Sequence, residues 1–168
     1  MNYGNLLFSP SGEVGPRPFI IGAAILSALL FLIKASSLIS VSIAGILGVV
    51  GLVLIYCWYA LFAKRFRFSG KSAALAIIPV AAIVLIGAFV IDALVQRMIA
   101  PELMDEMTVA VAEAVESEGL MGSMTVAQEY AARVAEATAL PVAAARAAFS
   151  LVIAWLTNLL LGGPRQPI

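Results

Sequence analysis

Residues 19–63 read FIIGAAILSALLFLIKASSLISVSIAGILGVVGLVLIYCWYALFA, 45 positions carrying a single charge, Lys34. About 20 apolar residues cross a bilayer as a helix, so the run is too long for one span and long enough for two. The break belongs at Lys34-Ala35-Ser36-Ser37, where polar residues cluster. The expected spans are therefore 19–37 and 42–63. Tyr56, Trp58 and Tyr59 near the end of the second are aromatics of the kind that settle at a membrane–water interface.

Composition agrees with this reading. Of 168 residues, 62% are hydrophobic and 12% charged, and the mean hydropathy is +1.05. Soluble domains carry about 25% charge. These values exclude an ordinary soluble enzyme, a disordered chain and a nucleic-acid-binding domain. The chain has no His, so histidine metal sites, triads and histidine pH switches are excluded too. The one cysteine, Cys57, has no partner for an internal disulfide.

Downstream of Ala63 stands Lys64-Arg65-Phe66-Arg67-Phe68-Ser69-Gly70-Lys71, read as a basic loop over 64–72. A third apolar run, 73–95, follows, with Pro79 kinking it or sitting in its first turns. Residues 96–141 change character. They hold Glu102, Asp105, Glu106, Glu113, Glu116, Glu118, Glu129 and Glu136, with Arg97 at the start and Arg133 within. Ala and Glu favour helix, and the stretch Gly119–Ser123 divides two short helices. Thr125 with Gln128 resembles a capping box for the second, and Pro141 closes the insert. Leu103, Met107, Ala110 and Ala114 form one apolar stripe, and Val126, Tyr130, Val134 and Ala137 another. Both suit packing onto protein. A last apolar helix, 142–162, contains Arg146, which either snorkels to headgroups or keeps the segment at the interface. The expected fold class is an all-α integral membrane bundle of four spans with an acidic helical hairpin between the third and fourth. Tails at 1–18 and 163–168 complete it. Placing the basic loop inside puts both termini in the cytoplasm and the acidic insert outside.

Two stretches carry a family likeness. Phe8, Gly12, Arg17 and Phe19 at the start, and Lys64, Arg65, Gly70 and Ser72 in the basic stretch, match a pattern of aromatic, Gly, basic and aromatic, then basic pair, Gly and Ser. In this the chain, over residues 7–80, resembles the bacterial inner-membrane family called domain of unknown function 805. Glu13, Ile20, Arg67, Phe68, Ala73 and Ala74 depart from it. The resemblance implies a helical protein of the bacterial inner membrane and no defined activity.

Candidate sites follow from residue type. Lys64, Arg65, Arg67 and Lys71 suit anionic headgroups, or serve only to orient the chain. Asp92, Lys34 and Asn158 are polar groups in or beside apolar spans, suited to an ion or proton site or to interfacial and interhelical bonds. Ser40, Ala44, Gly48 and Gly51, and Ser150 with Ala154, have the small-residue spacing that lets helices approach closely. No catalytic constellation, metal cage or cofactor motif is visible. The expected function is a non-enzymatic accessory or scaffolding subunit of a larger membrane complex. The alternatives are a small transporter or channel subunit and an anionic-lipid-binding organiser. The expected partners are the bilayer, other membrane subunits and a cationic periplasmic protein at the acidic insert.

Overall fold

A computed structural model describes residues 3–36 and 41–162, with side chains for 6–35, 50–117 and 119–162. The described chain is helical throughout, with no strand among the described residues. Its elements are α1 (Tyr3–Phe8), α2 (Pro16–Ser36), α3 (Val41–Phe68), α4 (Ala73–Ile99) and a long run, Pro101–Leu161, broken at Gly119. We label its two parts α5 (101–118) and α6 (120–161). Among the described residues three helices are long and apolar enough to cross a membrane: Pro16–Ala35, Ala73–Ile99 and Gly119–Leu161.

Pro16 begins α2 at a position where a missing N–H costs nothing. The basic stretch is not a loop over its whole length, because α3 continues through it to Phe68. Gly70 then ends the helix with φ +71, a left-handed conformation that glycine adopts without strain. Its N–H donates to the Arg67 carbonyl at 2.8 Å, and the Lys71 N–H reaches back to Phe66 at 2.9 Å. These two bonds satisfy carbonyls the helix end leaves open. The Ser72 hydroxyl accepts from the Ala74 N–H and starts α4. A connection of four residues, 69–72, therefore replaces the expected nine.

Along its length α4 changes pitch, from a 3-10 turn at Ala73–Ala76, through Ile77–Ala81, to a π-helical stretch at Ala82–Ile91, and back to α at Asp92–Ile99. Pro79 sits early in it and is buried. The expected end at residue 95 falls short by one turn.

At Gly119 φ is +71 and ψ −164, a backbone state essentially confined to glycine. The expected break is there. The expected end at Pro141 is not, since α6 runs unbroken through it to Leu161. The proline removes one backbone bond without ending the helix. One turn earlier Thr138 is fully buried and donates to the Val134 carbonyl at 2.7 Å. Thr125 is not a cap either. It lies inside α6, and its hydroxyl bonds the Met121 carbonyl.

The core lies where α1, α2 and α3 meet the start of α4 and the end of α6. Phe19 meets Phe62 edge-on at 5.3 Å, and Trp58 stacks on Phe62 at 5.7 Å. Trp58 is 3% exposed, so it is a core residue rather than an interfacial anchor. Tyr56 points outward at 45% exposure, and Tyr59 packs on the rim of the core. α2 runs against α3 and α6, and Gly22 lets it close on Leu61: a methyl there would stand 2.9 Å from Leu61 Cδ1.

Candidate functional site

Three polar tiers lie along α6, each tying it to another helix. The first is a forked ion pair. One edge of the Arg146 guanidinium donates from Nε and Nη2 to the two carboxylate oxygens of Asp92, which stands at the point where α4 leaves its π-helical stretch. The side chains are 16% and 20% exposed. Lys34, on the last turn of α2, adds its charge to the field of both. Arg146 therefore neither snorkels nor holds the segment out of the bundle. It has an acidic partner on the neighbouring helix.

One turn further along α6 is the second tier. The Ser150 hydroxyl meets that of Ser27 on α2 at 2.7 Å, and both are buried. Ala23 and Ala154 flank them with no more than 1% exposure. Ala143, Ser150 and Ala154 share this buried side of α6, where small side chains let α2 come close.

Arg65 makes the third tier. It is fully buried, near the end of α3. Its Nε donates to Asn158 Oδ1 at 2.9 Å, Nη1 to the Ser69 hydroxyl at 3.0 Å, and Nη2 to the Gly162 carbonyl at 2.6 Å. The fork of donors fits an open helix end, where carbonyls lack intrahelical partners. Its neighbours hold the N-terminal segment. Lys64 Nζ donates to the Leu6 carbonyl at 3.0 Å, Arg67 to the Pro10 carbonyl, and the Val14 N–H to the Lys64 carbonyl at 3.4 Å. Of the four basic residues Lys71 is the one whose side chain is exposed.

Beyond the ion pair, α5 and α6 face each other across a cleft of about 600 Å³. Glu102, Asp105, Glu106, Val109, Ala110 and Glu113 line one side and Tyr130 the other. Asp92 and Arg146 lie each 27 residues from Gly119, so the pair joins positions in register across the bend. The two apolar stripes are the better-covered faces: Ala114 is 7% and Val134 3% exposed, although Ala137 points outward. Arg133 pairs with Glu129 one turn away, both exposed, and lies over the Tyr130 ring.

The remaining expected positions are less informative. Ser40 and the side chains at Ala44 and Gly48 lie outside the described residues. Gly51 meets nothing within 4 Å of an added methyl, so among the described residues no helix closes on it. Ser27, which sequence reasoning passed over, and Arg146, which it left without a partner, are both bonded across helices. For Arg146 the signal was its matched distance from Gly119. No family model matches the chain, and no curated protein or solved structure matches it either.

Proposed function

We propose that the chain is a non-enzymatic accessory or scaffolding subunit of a larger complex in the bacterial inner membrane. In this reading α2, α3, α4 and the 142–161 part of α6 are four spans. Both termini are cytoplasmic, and α5 with the first half of α6 forms an external acidic hairpin. The family likeness noted above supports the bacterial membrane.

The forked Asp92–Arg146 pair carries the proposal. Arg146 stands about 22 Å along α6 from Leu161, near the outer edge of a hydrocarbon core about 30 Å thick. An unpaired arginine at that depth is costly. Pairing it with Asp92 brings the last helix into the bundle and clamps the base of the hairpin. The result is a small anchor bearing a braced external arm, the build of a part that holds or positions something else. The polar groups inside the bundle serve the same end. Asp92 and Arg146, Ser27 and Ser150, and Arg65 and Asn158 are each bonded across helices.

The decisive experiment is mild extraction of the tagged protein from its native membrane, followed by native electrophoresis and mass spectrometry. A stoichiometric larger complex is the expected result. A lone small oligomer in several detergents would overturn the reading and favour a transporter or channel subunit. Asp92→Asn alone does not separate these readings, because it strips Arg146 of its counter-charge in either. The double variant Asp92→Asn/Arg146→Gln does: an accessory subunit keeps its complex, whereas an ion-conducting one loses transport.

A further inference from the structure

In the topology proposed above the bend between α5 and α6 stands outside the bilayer, and it exposes apolar side chains. Leu120, Met121 and Met124 are 78%, 80% and 60% exposed, beside Val115 at 45%. One arm of 18 residues separates them from the end of α4, about 27 Å of helix. Groups this apolar at the tip of a charged arm are a liability unless something covers them. Methionine is also the side chain best suited to a surface that adapts to what it meets.

We propose that this tip is a docking end and that its occupant is an amphipathic, Lys/Arg-rich helix of another protein. Charge decides among the candidates. The arms carry eight carboxylates, and Arg133 is their one cation within 101–141, already turned to Glu129 and Tyr130. Exposed Glu113 and Glu116, within two helical turns of the bend, set negative charge beside the tip. A second copy would bring the same acidic surface and be repelled. An anionic membrane surface would be repelled likewise, and the tip has no Trp or Lys with which to sit in headgroups. A cationic helix satisfies both demands. Its apolar face covers Leu120, Met121 and Met124, and its charges meet the flanking carboxylates, which also speed encounter.

This inference rests on the proposed function for two things, the external position of the arm and the existence of a partner. Extraction of a complex tests membership through any face of the protein, whereas the experiment below tests the tip alone. The full-length protein is placed in phosphatidylcholine nanodiscs. A labelled amphipathic helical peptide of Ala, Leu and Lys is then titrated, with empty discs subtracted and a Glu-for-Lys peptide as control. The Lys peptide should bind the protein-bearing discs, and more weakly as salt rises. Leu120→Ser/Met121→Ser/Met124→Ser should cost about tenfold or more in Kd with an unchanged melting temperature, since these side chains touch little of the fold. Equal binding by the triple variant or by the Glu peptide would overturn the proposal. So would pairing of discs through the tips without peptide, which would assign the surface to a second copy. Tip-dependent binding of peptide-free anionic vesicles would assign it to a membrane and overturn it equally.

Discussion

At the scale of single residues, the charges inside this protein act as fasteners. Asp92→Asn leaves Arg146 partly buried without its counter-charge. Breaking a buried pair from one side costs about 3–5 kcal/mol, and partial exposure puts this one toward the lower end. Asp92→Asn/Arg146→Gln should recover much of that, and thermal unfolding in detergent gives both values. Arg65→Lys should also destabilise, because a single ammonium cannot reproduce a fork that serves Asn158, Ser69 and Gly162 together. The sequence marked Asp92, Lys34 and Arg146 as unusual, because charge in an apolar run stands out. It did not show that two of them are partners, since their 54-residue separation is bridged only by folding.

At the scale of elements, local chemistry was legible and long-range relief was not. Gly119 announced the bend between α5 and α6, whereas the basic stretch 64–72 was read as a loop although α3 runs through it to Phe68. The bend is a backbone demand expressed within a few residues. Pro141 misled, because a proline ends a helix only when nothing holds the next turn in place. Here Val142 and Ala143 are buried immediately after it, and that packing carries the helix on. Trp58 misled for a related reason: it stacks on Phe62, and Phe62 is met in turn by Phe19 through the contact of α2 with α3. Gly119→Ala should cost about 1–3 kcal/mol, since its backbone state excludes a side chain. Spin labels at Asp105 and Tyr130, on opposite sides of the cleft, should report a broader distance distribution in that variant. An unaltered distribution would show that the bend does not depend on glycine.

On the scale of the whole molecule, four helices form a ring in which α2 joins α3 to α6, and α4 closes the other side. The composition made the helical membrane class plain, and the sorting of charge between 64–71 and 101–141 suggested which end faces which side. Orientation can be read with the chain's own chemistry. Cys57 is buried and lone, so it gives little background to thiol reagents. With the orientation proposed above, Met121→Cys should react with an impermeant maleimide in intact spheroplasts. Lys71→Cys should react only after the membrane is opened. The reverse pattern would invert the topology.

The matched spacing of Asp92 and Arg146 about Gly119 also bears on how such a protein can change length over time. Adding or deleting one helical turn in a single arm would slide Arg146 away from Asp92 and leave both charges without their partner. The same change made in both arms would leave the clasp shut and move only the tip. Natural variation in arm length should therefore come in equal pairs of indels on the two sides of the bend, and an engineer who wants a longer reach must edit both arms at once.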